Sequence, residues 1–284
     1  MDGILLIDKP VGLTSHDVVN IIRKEFKTKK VGHAGTLDPF ASGLLIILIG
    51  NATKLSQYLM STQKTYQAQI QLGLYSDTYD ITGRIIDKNN LIYNTNEIRD
   101  ALNELVGTHN WKVPIYSAKK INGKKLYELA RKEEYIDLPE SEMTIFNIEI
   151  INYFYPYLDI SIACSHGTYI RTFAVELAKK LGTIGLLSTL RRTKSGVFDV
   201  KNAYKLSDFN KELMPLKSIT TNKIIINNKS INKLNNGNTL FYDDINFIEI
   251  KSNNSLYTVY SEERQLLAIY KKEDQHFKFV LKGG

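Results

Sequence analysis

The residue of this chain best placed to do chemistry is an aspartate in a loop constrained by glycine and proline. The stretch Gly32-His33-Ala34-Gly35-Thr36-Leu37-Asp38-Pro39-Phe40-Ala41-Ser42-Gly43 holds three glycines, one proline and a single acid, Asp38. Pro39 biases Asp38 to extended backbone. An apolar run, Leu44 to Ile49, follows directly, so the carboxylate is presented at the edge of a rigid strand. A carboxylate held this way can act as nucleophile or general base. An aspartate in such a loop is also a common turn or cap residue, and residue type alone leaves both readings open.

Other chemistries find less support. The one cysteine, Cys164, lies in an apolar strand beside Ala163 and reads as a small buried hydrophobe. A single cysteine permits no intrachain disulfide and suits a reducing cytoplasm. Ser165 and His166 are adjacent, and neighbours in a strand point to opposite faces, so they do not form a nucleophile–base pair. The five histidines, His16, His33, His109, His166 and His276, make no H-E-x-x-H pair, and there is no C-x-x-C. No metal site is expected. A Gly-rich phosphate loop and a dinucleotide fingerprint are both lacking, so no cofactor is expected.

Charge points to an anionic partner. Segments 23–30, 112–132 and 179–194 hold seventeen basic groups against two acids, a net +15 on a chain whose formal charge is +7, which leaves −8 for the remainder. Trp111, Tyr116 and Tyr127 lie in or beside the middle cluster. Basic groups interleaved with aromatics suit phosphates and unstacked bases, although three solvated helix faces would give the same pattern. Leu44 to Ile49 is too short to span a bilayer. The opening Met1-Asp2-Gly3 carries no basic signal region. A cytoplasmic protein is expected.

The elements that must position these residues alternate irregularly, which gives an α+β class. Gly3 to Ile7 reads as a strand, and Thr14 with Asp17 as the capping box of a helix bearing Val18, Val19, Ile22 and Phe26. A helix is expected over Ala52 to Met60. Tyr66, Ala68, Ile70 and Leu72 alternate as a strand. A turn follows over Gly73 to Thr82, then a strand from Gly83 to Asp87. Helices are expected from Thr95 to Gly107 and from Lys124 to Glu133. Ile145 to Tyr153 and Leu158 to Cys164 read as paired strands. A helix over Tyr169 to Leu181 is closed by Gly182. From Thr220 the chain turns Asn-rich, with five short β patterns and a turn at Leu234 to Asn238. Two domains are expected, residues 1–219 and a small β-rich domain over 220–284.

Several stretches resemble the TruB-type pseudouridine synthases. Gly32 to Pro39 is similar to that family's catalytic-aspartate motif. Gly3 to Gly12, with Lys9 and Pro10, resembles its opening Lys-Pro motif, and Lys64-Thr65-Tyr66 its tyrosine motif. Pro114-Ile115-Tyr116-Ser117-Ala118-Lys119-Lys120, with Gly123 and Tyr127, resembles its central Ser-Ala-x-Lys segment. Gly167-Thr168-Tyr169-Ile170-Arg171-Thr172 resembles its arginine motif, and Leu190-Arg191-Arg192-Thr193 its last motif. These stretches occur in family order over residues 1–218. Ser76-Asp77-Thr78-Tyr79-Asp80 departs from the family by having Ser where Thr often stands first.

The resemblance implies a pseudouridine-synthase fold with a mixed, mainly antiparallel sheet flanked by helices, and a PUA-like tail that binds RNA. It implies a stand-alone bacterial-type enzyme, monomeric and needing no protein partner, that acts on uridine 55 in the T-arm stem-loop of tRNA. Asp38, Tyr66 and Arg171 are then the catalytic residues: Arg171 partners the aspartate, and Tyr66 stacks on the target base and assists proton transfer at C5. His33 becomes the wedge that fills the gap left by a flipped base. Lys9, Lys119, Tyr169, Leu190, Arg191 and Arg192 join the RNA-binding set. For Lys9 two readings stand, support of the aspartate loop and phosphate contact. Two rival functions fit parts of the pattern. A non-catalytic RNA-binding protein would not need Asp38, and a nucleosidase would release free uracil and use a second carboxylate.

Overall fold

The structure is a computed structural model that describes residues 1–121, 123–130, 137–252 and 254–283. The first elements are β1 (Gly3–Lys9), α1 (Ser15–Glu25), β2 (Val31–His33), β3 (Ser42–Ile49) and α2 (Ser56–Met60). Next come β4 (Lys64–Leu72), β5 (Leu74–Ser76), β6 (Ile85–Lys88), α3 (Thr95–Glu104) and β7 (Gly107–Lys112). The short pair β8 (Lys120–Ile121) and β9 (Lys124–Lys125) leads to α4 (Leu126–Ala130), β10 (Glu140–Phe154), β11 (Tyr157–Cys164), α5 (Ile170–Lys180) and β12 (Gly185–Ser195). The chain closes with β13 (Phe198–Asp199), β14 (Tyr204–Lys205), β15 (Lys223–Ile226), α6 (Ile231–Asn235), β16 (Leu240–Phe241), β17 (Ile245–Glu249), β18 (Leu256–Tyr260), β19 (Leu266–Glu273) and β20 (His276–Lys282). The pairs β1–β3, β4–β11, β10–β11 and β7–β10 are antiparallel and β1–β14 is parallel. The class is α+β with mixed, mainly antiparallel pairing, as expected.

Packing divides the chain into two compact units, one of Met1–Pro39, Gly43–Thr62 and Ser195–Gly284, the other of Phe40–Ser42 and Gln63–Lys194. In the first unit β1 is apolar at successive positions because it is buried on both faces. Leu5 and Ile7 pack with Leu45 and Ile47 of β3 and with Val18, Val19 and Ile22 of α1. Ile4 and Leu6 turn the other way, with Leu44, Ile46 and Leu48, onto Leu256, Ile269 and Leu281 of the tail. The tail's own sheet runs β16-β20-β19-β18-β15-β17. Its opposite face buries Ile224, Leu240, Tyr257, Tyr270 and Phe277. The α1 capping box forms as expected: Asp17 N donates to Thr14 Oγ1 at 3.0 Å and Thr14 N to Asp17 Oδ2 at 2.8 Å.

In the second unit β11 lies between β4 and β10, and β7 extends the sheet from β10. Helix α5 lies against β4 and against α3. The core here is Ile70, Ile160, Ile162, Cys164, Phe173 and Leu177.

Three expectations need correction. The helix over Ala52 to Met60 is a 3-10 turn, Gly50–Leu55, followed by the short α2. Gly50 takes φ +64°, and both amide nitrogens of Asn51 donate to the Asp2 carboxylate at 2.8 Å, which pulls the first turn away from α geometry. Lys124 and Lys125 are strand, so the helix expected from Lys124 begins at Leu126, and its expected end, Arg131 to Glu133, lies outside the described residues. Trp111 does not stand ready for an unstacked base. It is buried, stacked on His109 with ring centroids 4.6 Å apart and set edge-on to Phe173.

Candidate active site

The loop that carries Asp38 is fastened from three sides within the first unit. Ser15, early in α1, accepts from Leu37 N at 2.9 Å and donates to Leu37 O at 3.2 Å. Gly12 N donates to Pro39 O at 2.8 Å. Lys9 closes the set. Its side chain is 0 % exposed, and its ammonium donates to Leu13 O at 2.7 Å, Pro10 O at 2.9 Å and Pro39 O at 3.5 Å. A buried cation holding three carbonyls supports the two loops. Of the two readings of Lys9, this geometry matches loop support. His33, at the end of β2, is half-buried, and its carbonyl accepts from Ser56 Oγ at 3.0 Å. Asp38 is half-buried between two residues so fixed, Leu37 and Pro39.

The second unit carries the other named residues. Tyr66 sits on β4 opposite Ile162 of β11 and shares the buried face with Ala68 and Ile70. The neighbouring β12 is tied to β4 by Thr193 Oγ1 donating to Thr65 O at 3.2 Å. Leu190 and Arg192 of β12 are buried, Arg192 at 1 % exposure, whereas Arg191 is half-buried and lies 3.5 Å from Ser42 Oγ. The sequence shows the charge of Arg192 but not that its side chain is buried. Lys119 is half-buried and donates to Glu140 O at 3.2 Å. Tyr169 is half-buried at the N-cap of α5. Tyr127's side chain lies outside the described residues.

Arg171 is the most constrained of these side chains. A cation in the first turn of a helix opposes the helix dipole, and at 4 % exposure it has lost most of its water as well. Several groups answer it. The Asp80 carboxylate lies 3.8 Å from Nε, both side chains being 5 % exposed. Nη1 donates to Thr78 O at 3.1 Å and Nη2 to Tyr116 O at 2.9 Å. Asp80 is in turn held by Thr82 N at 2.9 Å, Thr82 Oγ1 at 2.5 Å and Thr78 Oγ1 at 2.9 Å. Sequence reasoning missed Asp80 as a site residue, although the turn Ser76 to Asp80 had drawn notice. The serine that departs from the family there is part of the same turn, its Oγ donating to Asp80 O at 2.6 Å. Beside Tyr66, burial and the Arg192 charge hold the Lys64 ammonium down at about 8, and burial pushes the Cys164 thiol up to about 12. A thiol so protonated is no nucleophile at neutral pH. Among the described residues no group of three His, Cys, Asp or Glu side chains could hold a metal ion.

The N-terminal domain of the TruB family pseudouridylate synthases matches residues 23–170. A tRNA pseudouridine synthase B from Caldicellulosiruptor saccharolyticus is 51% identical over 285 residues, which is 99% of this chain and 98% of the relative. The chain belongs to the TruB family. A tRNA pseudouridine synthase B from Clostridium acetobutylicum is 39% identical over 287 residues, covering 99% of both chains. Among solved structures, the crystal structure of a Cbf5-Nop10-Gar1 complex matches with a TM-score of 0.75 at 23% identity, over 98% of this chain and 83% of that one. That likeness is one of fold, and it runs along 98% of this chain. No described helix is long and apolar enough to cross a membrane.

Proposed function

We propose that this TruB family chain isomerises uridine to pseudouridine at position 55, in the T-loop of tRNA. The observation that carries the reading is full-length similarity to tRNA pseudouridine synthase B of Caldicellulosiruptor saccharolyticus, 51% over 99% of the chain. The fastening of the Asp38 loop and the burial of Arg171 support it.

The reaction breaks the N1–C1′ bond of uridine and joins C1′ to C5. N1 gains a proton and C5 loses one, so the product is an isomer of the substrate and no oxidant or external group is consumed. Asp38 supplies the carboxylate that attacks the ring or sugar or removes a proton. Arg171, fixed by Asp80, is the residue that the family resemblance assigns to work with the aspartate. Tyr66 stacks on the flipped uracil and serves proton transfer at C5. His33 fills the gap in the RNA stack, and Leu190 borders the pocket. Flipping costs a few kcal/mol, drawn from backbone contacts. Lys119, Arg191 and Tyr169 contribute to these, with residues 1–219 catalytic and 220–284 adding RNA affinity. The enzyme works as a cytoplasmic monomer on the T-arm stem-loop.

Asp38→Asn tests this assignment. Turnover should vanish while tRNA affinity stays within a few-fold, because binding rests on phosphates and flipping. Substantial turnover by the Asn protein would remove Asp38 from its role.

A further inference from the structure

Ser117 lies in the segment between β7 and β8, one residue beyond the carbonyl that Arg171 Nη2 holds at 2.9 Å. Covalent geometry keeps the Ser117 hydroxyl within roughly 8 Å of that nitrogen. The residue is 4 % exposed, and among the described residues its Oγ meets no hydrogen-bond partner. Ser15, Ser76 and Ser230 are satisfied, by Leu37, Asp80 and Asp244, and only Ser195 Oγ shares the condition of Ser117 among the described buried serines. Burying an unsatisfied hydroxyl costs about 1–3 kcal/mol, and native interiors keep few of them. An alanine here would avoid that cost.

We propose that the Ser117 hydroxyl is a binding contact to the flipped uridine, its hydrogen bond completed when the nucleotide enters beside Arg171. This rests on the proposed isomerisation. The contact is neutral, a hydroxyl meeting a hydroxyl or carbonyl of the ribose–uracil unit. A hydrogen bond made only in the complex adds to binding without being spent in the free protein.

Ser117→Ala separates this role from a structural one, because the two predict opposite effects. With wild type and variant assayed side by side on a T-arm stem-loop, kcat/KM should fall about tenfold in the variant. The melting temperature of the RNA-free variant should stay level or rise, since the unsatisfied group is gone. Should the alanine protein prove unstable, Ser117→Cys keeps the volume, weakens the hydrogen bond and serves the same comparison. Binding to a stem-loop with 2′-deoxyuridine at the target locates the partner. Loss confined to the ribonucleotide RNA puts it at the 2′ hydroxyl, and equal loss on both puts it on uracil. An alanine variant as active as an active wild type overturns the contact alone, and a lowered melting temperature with unchanged kinetics assigns the hydroxyl to a structural water. A wild type that forms no pseudouridine overturns the reaction on which the contact rests.

Discussion

At the scale of single residues, the site depends on a cation kept where cations are costly. Arg171 is buried at a helix N-terminus, and Asp80 is the carboxylate set against it. Asp80→Asn preserves the shape of the turn and removes its charge. Leaving one member of a buried pair uncompensated costs about 3 kcal/mol or more. The variant should melt well below wild type and lose kcat, with affinity for the T-arm changed less than kcat. A variant that matches wild type in melting temperature and kcat would show that the pair does not position Arg171. Asp38 could be singled out from sequence because Gly32 to Pro39 resembles the family's catalytic-aspartate motif, whereas its glycines and proline alone fit a turn residue as well. Asp80 could not, since a serine- and threonine-rich turn reads as a turn, and its importance comes from a residue 91 positions away. The fates of Lys9 and Arg192 were equally hidden, because residue type reports charge whereas burial decides what the charge can touch.

At the scale of elements, alternation placed the strands with clean apolar patterns. β15 (Lys223–Ile226) and β18 (Leu256–Tyr260) fall among the short β patterns expected beyond Thr220. β12 escaped because its arginines and lysine look like a surface cluster, although β12 runs beside β4 and buries Leu186, Leu187, Leu190 and Arg192. β7 escaped because Gly107 read as the end of a helix, when it also opens a strand. β4 offers a pH test. Lys64 pairs in register with Cys164 and shares the buried face with Tyr66. Its ammonium gives up the proton near pH 8 when folded, against an ordinary value of 10.5. Below pH 8 both folded and unfolded states hold the proton, and the folded state bears the full cost of the buried charge. Between about 8 and 10.5 only the unfolded state is protonated, so the contribution of this position to stability rises with pH. Methionine has no such proton. The unfolding free energy of wild type relative to Lys64→Met, from urea titrations, should be flat below pH 8 and climb above it. A difference independent of pH would contradict the burial of the charge.

At the scale of the whole molecule, the tail is part of the structural core of the first unit. Leu256, Ile269 and Leu281 pack in one cluster with Ile4, Leu6 and Leu44. Each buried aliphatic side chain is worth about 1.5–3 kcal/mol, and three of them approach the total stability of a domain. A protein cut after residue 219 should therefore aggregate or unfold at a much lower temperature, as read by size exclusion and thermal melting. A soluble fragment with the melting temperature of the full chain would show that the tail is detachable. Its contribution to RNA binding is then best probed by surface substitutions in the intact chain. The central claim is an aspartate-dependent isomerisation of uridine in RNA, and it is tested most directly by release of tritium from C5-labelled uridine in a T-arm stem-loop. The account predicts label in the solvent with wild type, none with Asp38→Asn, and no free uracil with either. Free uracil in place of an intact RNA, or no label released by a folded wild type that binds the stem-loop, would contradict it.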